Sequence, residues 1–536
     1  MDGSAATLRP DAPAAPPPSA RPAAPAGTVT PRQWLGFMAM VFGMFMALLD
    51  IQIVSSSITE IGAGLAAGPD EISWVQTSYL IAEVIMIPLS GYLSRLLSTR
   101  VLFTLSALGF TAMSFACAFT TGLNGMIVAR ALQGFLGGAM IPTVFAVSFT
   151  LFPMERRAGI SVVVGLVATM APTLGPTLGG YITQSLSWHW LFLINVVPGL
   201  IVASVAWAMV DVDRPDPSLK RGFDVMGLAL LALFLGSLEY VLEEGPRNDW
   251  FGDATISIFA ILAVIGAALF FWRVLSYRNP IVDMRAFADR NFAIGCLYSF
   301  IIGVGLYGSV YITPIFLARI RGYNSLQIGL MMMVTGAFQI LSAPIAGALS
   351  KKLDLRVMLA LGLGLFGTGV YLNTYVTAEW SFGELFLPQA LRGMSLMLCF
   401  IPINSLALGT LPPDKLKNAS GLYNLMRNLG GAIGLAAINT SLTERLALHQ
   451  ARLAENLTAA KPSARAFLDG LTAKFTGMIP GDPALAALKQ LSLLVRREAM
   501  VLTFGDTLLM MAGVFGVALL LMPLVRKPRA APVGAH

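Results

Sequence analysis

The sequence predicts an all-α polytopic membrane protein with fourteen transmembrane helices, arranged as two six-helix bundles plus two central helices. Of its 536 residues, 56% are hydrophobic and only 12% are charged, whereas charged residues make up about a quarter of a soluble globular chain. Fourteen stretches have the roughly 20 apolar residues that a helix needs to cross a bilayer. A segment of the first half also recurs in the second half. These observations exclude a soluble fold, and the net charge of +7 is attributed to membrane loops and not to nucleic-acid binding.

The distribution of basic residues predicts how the chain is oriented. Alternate loops hold most of the lysines and arginines, whereas the opposite short loops carry only Arg247, Arg319 and Arg321. Basic loops stay on the cytoplasmic side, and an even number of spans places both termini together, so we expect both termini in the cytoplasm. The predicted spans lie near residues 34–57, 72–94, 101–121, 123–149, 158–183, 190–210, 223–243, 254–275, 291–313, 324–349, 356–376, 382–409, 418–440 and 501–525.

These spans divide the chain into five regions. Residues 1–33 are rich in proline and alanine and are predicted to form a disordered cytoplasmic tail. Residues 34–211 are predicted to form an N-terminal six-helix bundle, and 222–275 two linker helices. Residues 291–525 are predicted to form a C-terminal six-helix bundle that includes a periplasmic loop at 441–500, and 526–536 a second cytoplasmic tail.

An internal repeat relates the two bundles. The segment IPLSGYLSRLLSTRV (87–101) aligns without a gap with APIAGALSKKLDLRV (343–357), and ALQG (131–134) corresponds to ALRG (390–393). The two copies run in the same direction across the membrane. Such parallel repeats are typical of transporters built from two related bundles.

Three ionisable residues inside the first bundle are candidates for proton coupling. A charge at the bilayer centre costs about 2.5–3.5 kcal/mol on insertion scales, so such residues mark functional sites. Asp50 and Arg130 lie at similar depths in their helices, and Glu83 lies near mid-depth. A buried carboxyl favours its protonated form, and an approaching arginine favours release of the proton. The alternatives are a structural ion pair for Asp50 and Arg130, and a carboxyl in a wet cavity without proton exchange for Glu83.

Polar residues of both bundles are candidates for lining a substrate cavity. Gln133 lies near mid-depth in the first bundle, and Arg392 stands out in the second. Asn424, Arg427 and Asn428 share one side of a helix because their spacing is i, i+3, i+4. Hydrogen bonding between helices is the alternative for these three residues.

The remaining ionisable and sulfur-containing residues predict no further site. Glu239 lies close to the outer end of the seventh span, with Glu243 and Glu244 beyond it, and we expect solvation at the interface for them. The three cysteines and three histidines lack metal-ligand spacing, and no P-loop sequence is present. We therefore expect no metal and no cofactor, and a proton gradient in place of ATP.

Two short motifs predict close helix packing and contacts that change between conformations. In GYLSRLLSTR (91–100), Gly91 permits tight helix packing, and Arg95 and Arg100 are expected to pair with acids or helix C-termini in one conformation; topology signalling alone is the alternative.

The second motif, APTLGPTLGGYI (171–182), places prolines and glycines inside a span. Proline costs about 3 kcal/mol in a helix interior, but neighbouring membrane helices satisfy the freed carbonyls. A GxxxG step allows close helix packing, so we expect a kinked hinge-and-seal element. The residues concerned are Pro172, Gly175, Pro176, Gly179 and Gly180.

Taken together, these segments resemble the major facilitator superfamily, and specifically its fourteen-span drug:proton antiporters of the EmrB/QacA type. LDIQIV (49–54) is similar to the first-span aspartate motif, and ARALQGFLGGAMIP (129–142) to the fourth-span arginine motif, with Arg130 in the arginine position. GPTLGG (175–180) is similar to the fifth-span antiporter motif, and LMRNLGGAIG (425–434) resembles the EmrB side of the branch. The likeness runs from about residue 34 to 525.

The resemblance implies a major facilitator fold and export of hydrophobic or amphipathic drugs in exchange for protons across a bacterial inner membrane. It also implies a periplasmic adaptor (membrane fusion) protein and an outer-membrane channel as partners. Segment 441–500 is a candidate contact surface, with a solvated or interfacial amphipathic loop as the alternative. A dedicated exporter of fatty acids, siderophores or another endogenous metabolite is the alternative function, and a non-transporting sensor or scaffold is a third.

The resemblance also implies a packing partner for span five, and it shows where the loop motif of this chain differs from that of the family. Span five is expected to face span ten or thirteen of the second half. The family's loop motif has an acid where this chain has Arg95 and a glycine where it has Ser98, so Arg95 needs a different partner.

Overall fold

The computed structural model describes residues 29–525 except 69–70, 278, 456, 459–460, 477 and 479–481. Most of the predicted tail at 1–33, and all of that at 526–536, lie outside the described residues. Within the described range the chain folds entirely into helices and loops. Local signals explain several helix starts: Thr30 forms a capping box with Gln33 and precedes Pro31 at the first helical position, an arrangement that satisfies free N–H groups.

The described residues form eighteen α-helices. Their bounds are α1 Pro31–Ser56, α2 Ile58–Gly64, α3 Trp74–Leu97, α4 Thr99–Ala118, α5 Leu123–Gly137, α6 Met140–Leu151, α7 Met154–Ser185, α8 Trp190–Leu193, α9 Val196–Met209, α10 Val225–Glu244, α11 Ala254–Ser276, α12 Arg290–Arg321, α13 Ser325–Lys352, α14 Leu355–Leu372, α15 Phe382–Leu408, α16 Pro413–Glu455, α17 Pro462–Phe475 and α18 Pro483–Leu520.

Thirteen helices of the described residues are long and apolar enough to cross a membrane, with α5–α6 and α8–α9 each counted as one broken span. They coincide with thirteen of the fourteen predicted spans. The remaining one, 418–440, lies inside α16 and is too polar to meet the same criterion. Its polar side chains Asn418, Asn424 and Arg427 are buried in the protein, so this helix faces other helices more than lipid.

The two halves have matching internal contacts, and the helix pairs that join them include α3 with α16 and α7 with α13. In the first half, α1 packs on α7 and α9, and α5 packs on α3 and α4; in the second, α12 packs on α16, and α15 on α13 and α14. Across the interface, α3 packs on α16 and α7 packs on α13. The prediction that span five faces span ten therefore agrees with the structure.

The linker helices α10 and α11 pack on each other, and α10 also packs on α3 of the first half. Asp224 starts α10 by accepting a hydrogen bond from the Gly227 amide. Its carboxylate also pairs with Arg273 near the end of α11, at 3.0 Å. The buried Asp224 thus joins the start of α10 to the end of α11.

Segment 441–500 is helical over most of its described length. It contains the last turns of α16, all of α17 and the first turns of α18, and α17 packs on α18. Both flanking spans therefore continue as helices beyond the lengths predicted for them.

Candidate functional site

The first-half site is built around Asp50 on α1. Nη1 of Arg130 (α5) donates a hydrogen bond to Oδ2 of Asp50 at 2.5 Å. The other carboxylate oxygen, Oδ1, accepts from Nδ2 of Asn195 at 2.8 Å and from Nε2 of Gln133 at 3.3 Å. Asp50, Arg130 and Gln133 have no exposed surface. The matched depths of Asp50 and Arg130 in the sequence thus correspond to a direct ion pair.

Gln133 belongs to this network and not to a free cavity wall. Its Oε1 accepts from Nη1 of Arg130 at 2.8 Å, and its Nε2 also donates to Oγ of Ser114 at 3.1 Å. Both ends of the amide are occupied, which corrects the expectation that Gln133 lines the substrate cavity. Its position three residues after Arg130 on one helix explains this, because residues three apart lie on the same face.

Sequence reasoning missed Asn195 and Ser114, which complete the network. Nδ2 of Asn195 donates to Oγ of Ser114 at 3.1 Å as well as to Asp50. Asn195 sits at the break between α8 and α9, where the interrupted span turns a polar side chain inward. An asparagine inside an apolar run was the available signal.

Arg130 is also held by an aromatic ring and a backbone carbonyl. Its guanidinium carbon lies 4.2 Å from the centre of the Tyr79 ring, and Nε donates to the Val75 carbonyl at 3.2 Å. Buried cation–π contacts of this kind are worth about 2 kcal/mol. The arginine is thereby positioned by α3 as well as by Asp50.

Glu83 lies on α3, two turns further along from Val75, with 1% of its surface exposed. Its Oε1 has no hydrogen-bond partner among the described residues. Both Asp50 and Arg130 interact with it electrostatically without contacting it directly. The predicted proton-coupling residues therefore form one cluster, in which Asp50 is fully paired and Glu83 is not.

Two buried arginines of the second half, Arg392 and Arg427, have no carboxylate partner among the described residues. Nη1 of Arg392 (α15) donates to Oγ1 of Thr313 at 3.3 Å, while its Nε has no partner among the described residues. Arg427 (α16) is 5% exposed, and its Nε and Nη2 also lack partners within the described part of the chain.

Three aromatic rings surround Arg427. Its guanidinium carbon lies 5.1 Å from the ring centre of Phe145, 4.6 Å from that of Phe400 and 5.0 Å from that of Tyr423. Phe145 belongs to α6 of the first half, so the arginine lies where the two halves meet. Asn424 bonds back to the Ser420 carbonyl of its own helix at 2.9 Å, and Asn428 is half-buried.

The glycines of the proline-rich motif pack within their own half. α7 is helical through Pro172 and Pro176. A Cβ on Gly175 would overlap the Gln52 side chain of α1, and one on Gly179 would overlap Ser56 of α1. Gly180 is buried. The GxxxG step therefore seals span five to span one.

The threonines of the same motif carry the contact with the other half. A Cβ on Gly329 of α13 would overlap Thr177, and one on Gly336 would approach the Thr173 methyl. Glycines on α13 thus make room for side chains from α7. One face of α7 packs on α1 and another packs on α13.

The loop after α3 is held to α16 by an acid that is distant in sequence, Asp213. Asp213, between α9 and α10, pairs with Nζ of Lys417 on α16. It also accepts hydrogen bonds from the Thr99 amide at 2.9 Å and the Thr99 hydroxyl at 3.1 Å. Nζ of Lys417 donates to the Ser94 carbonyl at 3.0 Å. Asp213 therefore places a carboxylate beside this loop, where position 95 holds an arginine and not an acid.

Among the described residues, neither Arg95 nor Arg100 forms an ion pair with an acid in this conformation, and their pairing with acids or helix C-termini in another conformation stays a prediction. The Arg95 guanidinium lies 5.8 Å from the Tyr92 ring centre, and that of Arg100 lies 5.3 Å from the Trp207 ring centre. Both arginines thus use aromatic rings, because the nearby carboxylate of Asp213 is taken by Lys417. Gly91 packs directly on the Asn418 backbone, as the tight-packing prediction requires.

The outer glutamates are not solvated as expected. Glu239 is 5% exposed and Glu244 is 6% exposed, and the hydroxyl of Thr77 donates to Oε1 of Glu244 at 3.0 Å. The linker helix α10 packs its acidic face against α3 and not toward the interface. Residue depth in the sequence could not show which face of α10 turns inward.

The described residues hold no cluster of histidine, cysteine and acidic side chains suited to a metal ion. All three cysteines are free and buried.

Comparisons with known proteins agree with this architecture. Residues 40–435 match the family model of the Major Facilitator Superfamily. The chain is 42% identical to the colistin resistance protein EmrB of Acinetobacter baumannii over 482 residues, covering 89% of this chain and 93% of that protein. It is 30% identical to the multidrug export protein EmrB of Escherichia coli K12, covering 93% and 96%.

A third relative and a solved structure extend the comparison. The chain is 29% identical to the fatty acid resistance protein FarB of Neisseria gonorrhoeae, covering 78% of this chain and 83% of that protein. The crystal structure of the human organic anion transporter MFSD10 superposes with a TM-score of 0.56 at 14% identity, covering 92% of this chain and all of that one; this likeness shows the fold. The chain belongs to the Major Facilitator Superfamily, in its EmrB-type branch, and is a multi-pass membrane transporter and not an enzyme.

Proposed function

We propose that this protein is a proton-driven antiporter that exports hydrophobic or amphipathic drugs across the bacterial inner membrane by alternating access, with both termini in the cytoplasm. The observation that carries the proposal is the contrast between its two central carboxyls. Asp50 accepts hydrogen bonds from three side chains, whereas Oε1 of Glu83 accepts none from the described residues.

This contrast assigns different roles to the two acids. The hydrogen bonds from Arg130, Gln133 and Asn195 suit Asp50 to position Arg130. Burial without a donor disfavours the charged form of a carboxyl, so Glu83 is suited to carry a proton while the site is closed to water. Movement of Arg130 relative to Glu83 would favour release of that proton. Asp50, Glu83 and Arg130 are thus proposed as the coupling residues.

The test is substrate-dependent proton movement in proteoliposomes. Glu83→Gln should abolish proton release on substrate addition and keep substrate binding. Glu60→Gln, which removes the charge of an exposed glutamate on the predicted outer side, is the control. Full proton-coupled transport by Glu83→Gln and Asp50→Asn together would overturn the assignment.

A dedicated exporter of an anionic metabolite such as a fatty acid is the second candidate function, and Arg427 favours it. A buried guanidinium with two free N–H groups binds a carboxylate in bidentate fashion, and three rings around it accept an apolar chain or ring. The name of the relative FarB points to the same chemistry. Together with Arg392 and Asn424, Arg427 is proposed to line the substrate cavity.

We also propose that segment 441–500 contacts a periplasmic adaptor protein, which leads to an outer-membrane channel. Its described helices expose large apolar side chains, including Phe467 at 50%, Leu485 at 66% and Leu493 at 53%. Exposed apolar groups on a helical extension are typical of protein contact surfaces.

Replacing Phe467, Leu485 and Leu493 with serine should prevent co-purification with the adaptor while vesicle transport continues. Retained co-purification would argue against this surface. Serine substitution of Leu361 and Tyr371, exposed on α14, is the control for general loss of surface hydrophobicity.

A further inference from the structure

We infer that a cavity at the predicted outer end of α16 binds an amphipathic organic cation of drug size. This inference goes beyond the proposed function, because it concerns a second binding site and requires no proton coupling. The cavity has a volume of about 510 Å³, within the range of about 300–1,000 Å³ that is typical of small-molecule sites. It lies where α10, the loop after α10, α16 and α18 meet.

One face of α16 forms a wall of the cavity that changes from apolar to charged along its length. Ile433, Ala437, Thr440 and Glu444 all line the cavity, and their spacing of three or four residues keeps them on one side of the helix. Glu444 lies eleven positions after Ile433, or about 16 Å further along the helix axis. A ligand that lies along this face would place its apolar part at Ile433 and its charged part at Glu444.

The charges at the mouth of the cavity leave one carboxylate unmatched. Oδ2 of Asp506, on α18, lies 2.9 Å from Nε2 of His449 and 3.8 Å from Nη1 of Arg445. Arg445, which also lines the cavity, is therefore offset by Asp506. Glu444 is exposed and forms no salt bridge within the described part of the chain. Its carboxylate is thus available to a cationic ligand.

Trp250 adds an aromatic ring to the cavity, and its backbone is strained. Nε1 of Trp250 donates to Oγ1 of Thr440 at 2.9 Å, one turn before Glu444 on α16. A Cβ on Gly245 would lie 2.8 Å from the Trp250 ring, so the ring is packed from the other side too. Asp249 and Trp250 have φ of +54° and +51°, a costly conformation for residues other than glycine that is concentrated at ligand sites. Because the face of an indole ring attracts organic cations, Trp250 and Glu444 suit the same ligand group.

Apolar side chains complete the cavity. Leu242 of α10, Ile433 of α16 and Met510 of α18 all line it. Ile433 is 39% exposed and Met510 is 41% exposed, so their apolar surface is open to a ligand. A ligand that covers these side chains removes apolar surface from water. A cation with an apolar body therefore fits this cavity better than an inorganic cation or an anion does.

The cavity differs in position and in charge from the surroundings of Arg427. Arg427 lies six positions before Ile433, a spacing that places the two residues on different faces of α16. The Arg427 side chain is a buried cation among aromatic rings, whereas the cavity offers the carboxylate of Glu444. The two sites thus suit amphiphiles of opposite charge.

The experiment measures how a ligand protects a cysteine placed in the cavity. Full-length protein in lipid nanodiscs carries Ala437→Cys, at an exposed position of the cavity wall, while the three native cysteines are buried. The probes are tetraphenylphosphonium and tetraphenylborate, which have the same shape and opposite charges. Tetraphenylphosphonium should slow alkylation of Ala437→Cys, and tetraphenylborate at the same concentration should not. Ala454→Cys, exposed further along the same helix, should be alkylated at one rate with and without either probe.

Substitutions in the Ala437→Cys background test the two groups assigned to the cation. Glu444→Gln should raise the tetraphenylphosphonium concentration for half-protection by about fivefold, the scale of a partly exposed charge pair. Trp250→Leu should raise it as well, because the cation–π contact is lost. Glu455→Gln is the matched control, since it changes another exposed glutamate of α16 outside the cavity, and it should leave the half-protection concentration unchanged.

Several results would overturn the site. Protection by neither probe, or by both equally, would show that the cavity does not select a cation. Equal half-protection concentrations for Glu444→Gln and Glu455→Gln would show that the Glu444 carboxylate is not used. Slow alkylation in nanodiscs of phosphatidylethanolamine that tetraphenylphosphonium does not change further would mean that a lipid fills the cavity. Since the readout is binding alone, a failure of proton coupling in proteoliposomes would overturn the proposed function and leave this site standing.

Discussion

The two halves of this transporter share a fold but treat buried charge differently. In the repeat, Gln133 of the first half aligns with Arg392 of the second, and Arg130 aligns with Gln389. The first half pairs its arginine with Asp50 at 2.5 Å. Among the described residues of the second half, Arg392 has one side-chain partner, the Thr313 hydroxyl at 3.3 Å. Arg130 of the first half therefore has a carboxylate partner, whereas the buried Arg392 and Arg427 of the second half have none among the described residues.

This difference suits the two halves to different functions. A complete ion pair holds helices in fixed register and tunes a nearby carboxyl, which suits proton handling. A buried cation without an acid is costly unless a ligand supplies the charge, which suits binding of an anionic group. In the proposed function, the first half carries the coupling residues and the second half carries the arginine that binds the substrate.

The largest expected effect comes from breaking the first-half pair. Arg130→Gln leaves Asp50 buried without its cation and should destabilise the protein by about 3–5 kcal/mol, measured by thermal unfolding in detergent. Arg392→Gln removes a cation that has no acid, so it should cost far less or stabilise the protein. Equal losses in the two variants would contradict the comparison between the halves.

A smaller effect is expected from Arg427, where the second half meets the first. Arg427→Gln should weaken binding of an anionic amphiphile by about 1.5–3 kcal/mol, or roughly tenfold to a hundredfold, in an equilibrium binding assay. A neutral amphiphile of the same size should bind as before. Arg427→Lys keeps the charge but loses the bidentate geometry, so its affinity for the anionic amphiphile should lie between those of the wild type and Arg427→Gln. Equal losses of affinity for the anionic and the neutral amphiphile would show that Arg427 only packs.

The ion pair between Asp213 and Lys417 offers a third test, because it joins the two halves on the side that the sequence predicts to be cytoplasmic. Their side chains are 18% and 15% exposed, so the pair is expected to contribute about 1 kcal/mol. Asp213→Asn should shift the conformational equilibrium about fivefold toward cytoplasmic opening, detected by labelling of a cysteine introduced at Ser94. The charge exchange Asp213→Lys with Lys417→Asp should restore part of the closed population, and no restoration would argue against a direct pair.

The smallest effect concerns the loop after α3. Ser98 has φ +82°, a conformation that favours glycine, whereas the aligned Asp354 of the second half has φ −60°. Ser98→Gly should stabilise the protein by about 0.5–1 kcal/mol, net of the lost cap to Val101. Asp354→Gly should destabilise it, since it removes a cap without relieving strain. Thermal unfolding of the two variants distinguishes these signs.

The α7 motif shows how far the sequence alone can lead. The glycine spacing correctly predicted close helix packing, because removing side chains lets backbones approach wherever the partner lies. It could not say that the glycines face α1 and the threonines face α13, since both faces of α7 carry small residues. Asp213 was likewise invisible as a partner, because its ion pair with Lys417 joins residues 204 positions apart.

What the amino-acid sequence determined by itself is the membrane class, thirteen of the spans, the parallel repeat and the family. These follow from composition and local patterns, which act over one helix length. Tertiary structure decided which polar groups meet. Asp50 holds Arg130 with Gln133 and Asn195, Glu239 turns inward on α10, and Arg427 has aromatic rings but no acid beside it among the described residues. The reason is physical, because the free energy of a buried charge depends on neighbours that other helices supply.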